Sequence, residues 1–358
     1  MTEADNSSLR LINTATTLGL ITLIIYILHI GRNLILPFII ALVIWYIIIQ
    51  FATMFQLIRI RSFRLPYWIC LLLSIIISAA ILYLFFWLLT SSVANIISEA
   101  PKYQAKLQTI LDYLNQFTYH RFDVKKIITD LNITQVLSKF AYFLTDVLSN
   151  FTLIVIYLLF LLLEYKTFDK KLEAICGSKS KYHTVDNIMQ RIHTDINTFL
   201  KTKTMLNAIA GVASYICLLF FHVEYAEFWG VFIFLLHYIP YIGPIIAIIF
   251  VLLAATIQID SLLVFILLGV FLVTIQFLVG NIFEPKLMGN QLNLSPIVIL
   301  LSLAFWGYIW GITGMFLCVP AMVIIAIIFD NFDSTRPIAI AMSASGRGIK
   351  YDSKKKTK

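Results

Sequence analysis

The sequence predicts an all-α protein, a polytopic bundle of about eight hydrophobic segments embedded in a membrane. Its 358 residues are 60% hydrophobic, with a mean hydropathy of +0.89, whereas soluble domains are about 45–50% apolar. Only 13% of the residues are charged, which is about half the usual share. The apolar residues also form long runs, and a helix needs about 20 of them to cross a hydrocarbon core of about 30 Å.

These runs place the helices in order along the chain. They cover residues 11–30, 34–55, 67–90, 147–163, 205–221, 229–257, 262–280 and 297–329. Most of them reach, or nearly reach, the length of a membrane span. A transmembrane β-barrel would instead show alternating segments of about ten residues, so helices are the better interpretation.

The first three predicted transmembrane helices occupy residues 1–90. The run at 11–30 has no marked basic segment before it and no small-residue cleavage site, so we interpret it as a transmembrane helix and not as a signal peptide. Arg59, Arg61 and Arg64 follow the second helix, and such a cluster marks a cytoplasmic loop. The N-terminus is then also expected in the cytoplasm.

Residues 91–146 are polar enough to lie outside the bilayer, where their amphipathic pattern predicts a small helical subdomain. Apolar side chains recur there at steps of four and three: Tyr103, Leu107, Ile110, Leu114 and Phe117. This is a coiled-coil-like seam of about two heptads, too short to be stable alone. The seam therefore either covers the bundle or joins copies of the chain into a homo-oligomer.

Basic residues identify the cytoplasmic side of the later segments. The fourth helix, at 147–163, returns inward, and residues 164–204 form a basic cytoplasmic loop before a fifth helix that begins at residue 205. Residues 331–358 form a basic cytoplasmic tail, whose lysines anchor the topology and touch anionic lipid.

The net charge of +8 does not indicate a nucleic-acid partner. The basic residues cluster at the ends of apolar runs, which is the pattern of the positive-inside rule, so the lipid bilayer is the expected partner. The cysteines are scattered and show no paired spacing: Cys70, Cys176, Cys217 and Cys318. Cysteine in an apolar run behaves as a small hydrophobic residue, and we expect no disulfide, no metal site and no cofactor.

Residues 205–330 form the predicted transport core, and two of its apolar runs are broken. Near the middle of the run at 229–257 lies the segment 240–244, Pro240-Tyr241-Ile242-Gly243-Pro244. Two prolines and a glycine break or sharply kink a helix. In lipid, the freed backbone groups need partners in protein or in a water-lined cavity. Such a break therefore favours a place where a solute binds or passes.

The last run, at 297–329, is longer than one span needs and has a second break at 307–314, which includes Gly311 and Gly314. Two topologies remain open. Either all the runs of the core are plain spans, or the two broken runs are re-entrant hairpins on opposite faces of the membrane and flank one spanning helix at 262–280. The second arrangement follows the discontinuous-helix logic of secondary transporters, and we favour it.

Four stretches between residues 200 and 330 carry a resemblance to a known family. They are YIPYIGP from residue 238, GNIFEPKLMG from 280, LNLSP from 292 and WGYIWGITGMFLCVP from 306. In order and spacing they resemble the autoinducer-2 exporter family, also called PerM-type permeases. Looser matches at residues 35–38 and 163–166 extend the resemblance over nearly the whole chain.

The resemblance implies a multi-pass protein of the bacterial inner membrane that moves small solutes, here with both termini in the cytoplasm. Members of the family have been linked to export of the quorum-sensing signal autoinducer-2, and others to sodium- or lithium-for-proton exchange. The fold transfers between relatives more safely than the solute does.

Ionisable groups at membrane depth are costly, so each one is a candidate for function. Glu284 follows a long apolar helix and precedes Pro285, at a helix end near a break. Its carboxylate could bind a cation or accept a proton, or it could cap the helix at the interface or pair with Lys286. His237 lies one turn before the first break. It could take part in proton coupling, because imidazole titrates near neutral pH, or it could simply pack.

Uncharged polar side chains and a further glycine surround the region after the helix at 262–280. They are Gln276, Asn281, Gly289, Asn290 and Gln291. The amides suit a polar, uncharged ligand such as a small hydroxylated furanone, or they bond neighbouring helices and solvent. The glycines permit tight turns whose backbone groups could face a solute.

The leading hypothesis is a secondary transporter or exporter of a small polar solute, such as an autoinducer-2-like signal. The chain has no G-x-S-x-G, P-loop or H-E-x-x-H motif, so we expect no enzymatic activity and no direct use of ATP. Transport would then be passive or coupled to a monovalent cation or a proton. A sodium(lithium)/proton antiporter, an oligomeric passive channel and a non-transporting scaffold are the alternatives.

Overall fold

The computed structural model describes residues 3–57, 66–88, 142, 145–164, 167–288 and 293–346. Within these ranges the chain is helical almost throughout and has no β-strand. Five of the described helices are long and apolar enough to cross a membrane, and four shorter apolar helices accompany them. The predicted fold class, a helical membrane bundle, is confirmed.

The described helices are numbered in chain order. They are α1 (Glu3–Ile30), α2 (Arg32–Leu57), α3 (Tyr67–Leu88), α4 (Phe151–Glu164), α5 (Phe168–Cys176), α6 (Lys179–Phe220), α7 (Ala226–Leu236), α8 (Ile242–Gln258), α9 (Leu262–Phe277), a π-helix (Leu278–Phe283), α10 (Glu284–Met288), α11 (Pro296–Asp330) and α12 (Arg336–Met342).

Helix α6 is longer than the sequence predicts. It has 42 residues, and Ser178 caps its start by accepting a hydrogen bond from the backbone N–H of Lys181. The segment predicted as a basic loop up to residue 204 is therefore largely helical. The sequence predicts a start at Met205, where the apolar run begins, but a helix can continue past its apolar part wherever its polar side chains meet solvent or a partner.

Five helices, α6, α7, α8, α9 and α11, share one apolar core. Trp229, Leu268 and Ile327 are among its fully buried side chains. Aromatic contacts join α7 to α8, where the rings of Phe232 and Phe250 lie 6.0 Å apart. Such pairs add about 0.5–1.5 kcal/mol to the free energy of burial. The region that carries both predicted breaks is thus one packed unit.

Helices α7 and α8 fold back on each other. We call α7, the turn at residues 237–241 and α8 hairpin one. The arms touch at the turn, because a Cβ on Gly243 would overlap the carbonyl oxygen of Leu236. Tyr241 has a φ of 62°, a conformation that is rare for a bulky residue. The interruption therefore precedes Gly243 and Pro244, which lie in the first turn of α8, where proline is tolerated.

Helix α11 also folds back, at Gly311, whose φ of 62° and ψ of −141° interrupt the helix. We call its two arms, residues 296–310 and 312–330, hairpin two. The Cys318 thiol of the second arm contacts the Ser302 hydroxyl of the first. In a straight helix these two residues would be about 24 Å apart, so the arms run antiparallel.

The two hairpins enter the bundle from opposite ends of α6. The base of hairpin one lies at the C-terminal end of α6, where the backbone N–H of Glu224 donates to Oε1 of Gln258 at 2.7 Å. The base of hairpin two lies beside the N-terminal half of α6, where the Asp330 carboxylate is 3.8 Å from Arg191. Positions 191 and 220 are about 44 Å apart along a helix. The hairpins are thus inverted relative to each other.

Charged side chains also fix the base of hairpin two. The Asp330 side chain is fully buried, and its carboxylate lies 3.8 Å from Nη1 of Arg191 and 3.9 Å from Nε of Arg336. The start of the hairpin is held by the segment after α12, because the backbone N–H of Ala344 donates to the carbonyl oxygen of Asn293 at 3.0 Å. The first half of the predicted tail is therefore folded against α11.

Several predicted features lie outside the described residues. They are the arginine cluster at 59–64, the apolar seam at 103–117 with most of the subdomain at 91–146, Gly289, Asn290, Gln291, and the lysine-rich end of the tail.

Candidate functional site

The turns of the two hairpins meet beside α6. The ring of Tyr238, in the turn of hairpin one, lies 6.0 Å from the ring of Phe316, just after the turn of hairpin two. The Tyr238 hydroxyl also shares a hydrogen bond of 2.6 Å with Oγ1 of Thr204 on α6. The two breaks in the chain are therefore brought together at the level of Thr204.

A buried ion pair lies at the same level. Nζ of Lys203, on α6, is 2.7 Å from Oε1 of Glu284, at the start of α10. The Lys203 side chain is 5% exposed and that of Glu284 is 28% exposed. The attraction between the charges is stronger here than in water, but the cost of desolvating both groups largely offsets it. A pair that contributes little net stability is a candidate for function in a membrane protein.

A change of helix type places Glu284 in this pair. Directly before it, the backbone of α9 widens into the π-helix Leu278–Phe283. π-helical turns occur frequently at functional sites. The wider turn also changes the direction in which the side chains after it point around the helix axis. Here α10 packs against α6, and Glu284 faces Lys203.

The turn of hairpin one brings two titratable side chains to the ion pair. His237 is buried, and its Nδ1 has no hydrogen-bond partner within the described ranges. Its imidazole lies within electrostatic range of the Lys203 ammonium. Tyr241, at the exposed end of the same turn, lies within electrostatic range of the Glu284 carboxylate. Hairpin one is thus electrostatically linked to both members of the pair.

Uncharged polar side chains, which we call the polar row, are buried beyond the ion pair on two helices that pack against each other. Asn207 and Ser214 follow Lys203 on the buried face of α6, and Gln276 is buried on α9, which packs against α6. The part of the row on α6 extends about 16 Å from Lys203. The amide groups of Asn207 and Gln276 and the hydroxyl of Ser214 have no hydrogen-bond partner among the described residues. Buried polar groups in native proteins nearly always bind protein, water or a ligand, so the row can bind a polar molecule.

Comparison with known proteins identifies the family. The model of the AI-2E family transporters matches residues 18–334, which include both hairpins, the ion pair and the polar row. The chain belongs to this family. It is accordingly a multi-pass membrane transporter.

Relatives of this AI-2E transporter match over most of their length. A putative transport protein of Haemophilus influenzae is 28% identical over 341 residues, which cover 90% of this chain and 94% of the relative. The AI-2 transport protein TqsA of Escherichia coli is 28% identical over 349 residues, covering 91% and 94%. A putative transport protein of Borreliella burgdorferi is 29% identical over 260 residues, covering 71% and 70%. These descriptions are of transporters and not of enzymes.

The structure of the AI-2E transporter gathers some of the predicted site residues and separates others. Glu284 and His237 lie beside Lys203 where the hairpins meet α6, and Gln276 is buried on α9. Asn281 is exposed on the π-helix and Pro285 is exposed on α10, so neither faces this region.

The predicted break residues take different positions in the AI-2E transporter. Pro240 lies in the turn of hairpin one, and its carbonyl oxygen accepts a hydrogen bond from the backbone N–H of Ile242 at 2.6 Å. Gly311 forms the turn of hairpin two. Gly314 lies so close to the carbonyl oxygen of Trp306 that a Cβ would overlap it.

Sequence reasoning missed Lys203, Asn207 and Ser214. Lys203 falls within the predicted basic loop, while Asn207 and Ser214 lie within a run of mostly apolar residues. Their spacing of four and seven residues was the available signal, because residues at these spacings share one face of a helix. That face is buried and otherwise apolar, with Ala210 and Leu218 on it.

Proposed function

We propose that this AI-2E transporter exports a small, uncharged polar solute, with autoinducer-2 as the first candidate. The observation that carries the proposal is the buried row formed by Asn207, Ser214 and Gln276. Amide and hydroxyl groups can bind the hydroxyl and carbonyl groups of such a solute without desolvating a charge. The relative described as an AI-2 transport protein, TqsA, supports this choice of solute.

We further propose that both hairpins are re-entrant elements of a bacterial inner membrane. The arms of hairpin one have 11 and 17 residues, or about 16 and 25 Å, which is shorter than a hydrocarbon core of about 30 Å. The positive-inside rule places the basic N-terminal half of α6 in the cytoplasm. Hairpin two then enters from the cytoplasm and hairpin one from outside, and both termini are cytoplasmic.

This placement gives a solute a route through the bundle. The Lys203–Glu284 pair lies at the cytoplasmic end of the route, and the polar row leads from it toward the outer face. The row starts where the turns of the two inverted elements meet, and the movement of such elements around a fixed site is a common basis of alternating access. Movement of hairpin one and hairpin two in turn would expose the row to either side.

A sodium- or lithium-for-proton antiporter is a second candidate, and the Lys203–Glu284 pair favours it. A carboxylate oxygen is the type of ligand that a small cation binds, and intramembrane carboxylates often mark ion pathways. In this transporter the Lys203 ammonium occupies that oxygen. Glu284 could therefore hold either the ammonium or a metal cation, which is a requirement for exchange.

The variants Asn207→Leu and Gln276→Leu are expected to raise thermal stability and abolish transport. An unpaired buried amide costs about 1–3 kcal/mol, and leucine, which is similar in size, removes that cost. The same change removes the groups that bind the solute. The unfolding temperature in detergent measures the first effect, and counterflow of labelled autoinducer-2 in liposomes measures the second.

Thr274→Val provides a matched control on α9, the helix that carries Gln276. Thr274 is exposed and its hydroxyl donates to the carbonyl oxygen of Val270 at 2.7 Å. The variant should therefore change neither the unfolding temperature nor the counterflow of autoinducer-2. Absence of saturable counterflow by the wild-type protein would contradict the proposed function. Proton movement driven by sodium or lithium, without movement of autoinducer-2, would favour the antiporter instead.

A further inference from the structure

One side chain in the turn of hairpin one holds that turn against a long membrane helix. The Tyr238 hydroxyl shares a hydrogen bond of 2.6 Å with Oγ1 of Thr204 on α6. The Tyr238 backbone is fixed as well, because its N–H donates to the carbonyl oxygen of Leu235 at 3.0 Å. The side chain therefore moves with the hairpin, and movement of hairpin one away from α6 must break the bond between Tyr238 and Thr204.

The turn of hairpin two is held in a similar way by a different helix. Nε1 of Trp310, directly before the turn at Gly311, donates to the carbonyl oxygen of Leu28 at 3.0 Å. Leu28 lies in the last turn of α1, where carbonyl groups lack partners within their own helix. The indole N–H is the one donor of a tryptophan side chain, so movement of hairpin two away from α1 leaves both groups without this bond.

Both restrained turns lie beside the start of the polar row. The rings of Tyr238 and Phe316 join the two turns at 6.0 Å. On α6, Thr204 is three residues from Asn207, the first member of the row, and residues at this spacing are neighbours on a helix. Opening of either hairpin would therefore expose the start of the row from the face by which that hairpin enters the membrane.

We propose that Tyr238 and Trp310 are positioning residues of transport, each of which holds one hairpin closed. The bond from Tyr238 to Thr204 restrains hairpin one and sets how often the row opens to the outside. The bond from Trp310 to Leu28 restrains hairpin two and sets how often the row opens to the cytoplasm. The inference rests on the proposed function, because it uses the entry of the two hairpins from opposite faces.

Each restraint is weak enough to break and form again during transport. A hydrogen bond between neutral groups shifts an equilibrium by about 2- to 10-fold. Loss of one bond should raise the population of the corresponding open state by that factor, while the closed state persists. Loss of the Tyr238 bond then favours the outward-open state, and loss of the Trp310 bond favours the inward-open state. A purely structural role predicts lower stability with no preference for either face.

The test measures the exposure of the polar row from each face. Asn207→Cys, in a chain whose four natural cysteines are replaced by alanine, places a single thiol at the start of the row. A membrane-impermeant maleimide is applied without solute to right-side-out and to inside-out vesicles. We expect Tyr238→Phe and Thr204→Val to raise the labelling rate from outside about 2- to 10-fold. Trp310→Phe and Trp310→Leu should raise it by a similar factor from the cytoplasmic face.

Two further variants separate the restraints from general loosening of the bundle. The double variant Thr204→Val/Tyr238→Phe should label no faster than either single variant, because all three lack the same bond. Tyr308→Phe is the matched control, since it removes a phenol hydroxyl from a residue of hairpin two that is 86% exposed. Its labelling rate should equal that of the reporter chain from both faces.

Two results would overturn the proposal. One is an unchanged labelling rate in the variants of either hairpin that insert, and the other is an equal increase from both faces. Labelling needs no solute, so its outcome is separate from that of the proposed function. Face-specific labelling without counterflow of autoinducer-2 by the wild-type protein would support the two restraints and contradict the proposed solute. Counterflow by the wild-type protein with labelling that ignores the face would contradict the restraints alone.

Discussion

The variant Gly314→Ala is expected to destabilise hairpin two by about 2–3 kcal/mol, which is the upper range for an overpacked core position. A Cβ at Gly314 would overlap the backbone carbonyl oxygen of Trp306 in the opposite arm. A side chain could rotate away from such a clash, but a carbonyl group in a packed arm moves only with its helix. Gly243→Ala should have a similar effect on hairpin one, where the carbonyl oxygen of Leu236 occupies the corresponding position.

The effect is measured by thermal unfolding in detergent and by the amount of protein that inserts. Gly280→Ala is the matched control, because a Cβ there meets no atom within 4 Å. A Gly314→Ala protein as stable as the control would contradict the antiparallel arrangement of the arms, since residues 306 and 314 would be about 12 Å apart in a continuous helix.

The single variant Glu284→Gln is expected to destabilise the protein by about 3 kcal/mol. The change leaves the Lys203 ammonium buried without a counter-charge, and removing one member of a buried pair costs about 3–5 kcal/mol. We expect the lower end of this range because Glu284 is partly exposed. The double variant Lys203→Gln/Glu284→Gln has no unpaired charge and should recover most of the loss.

A second ion pair in the same protein provides the comparison. Glu164 and Lys171 are paired at the surface, with side chains 50% and 59% exposed, and exposed pairs contribute about 0–1 kcal/mol. Glu164→Gln should therefore change the unfolding temperature very little. If single variants at Lys203 and Glu284 each change the free energy of unfolding very little and their effects simply add, the two charges are not coupled. Glu284 would then not be the counter-charge that stabilises Lys203.

Much of the fold could be predicted from the sequence because it depends on local signals. The length of the apolar runs predicts membrane helices, and that class is confirmed. The glycines and prolines near 240 and 311 mark where the chain turns, since few other residues interrupt a helix in this way. The turn of hairpin one nevertheless precedes Gly243, which serves as the contact point between the arms. Proline cannot reveal this, because it is tolerated in the first turn of a helix as well as in a loop.

The candidate site was only partly predictable because its geometry depends on contacts between distant parts of the chain. Glu284 could be selected from its position at the end of an apolar helix, but its partner could not. Lys203 is 81 positions away, and the exposed Lys286 is the nearer candidate in sequence. The π-helix that turns Glu284 toward α6 has no sequence signature comparable to a proline or a glycine. Packing between α6 and α10 decides the pairing, and one sequence alone does not show it.

The most direct test of the re-entrant hairpins and of the polar row is a structure determined in lipid nanodiscs with autoinducer-2 at saturating concentration. We expect the turns of both hairpins to lie inside the bilayer and to have entered it from opposite faces. We also expect solute density between Asn207 and Gln276, beside the Lys203–Glu284 pair. Solute bound elsewhere in the bundle, or arms that each cross the whole bilayer, would contradict these expectations.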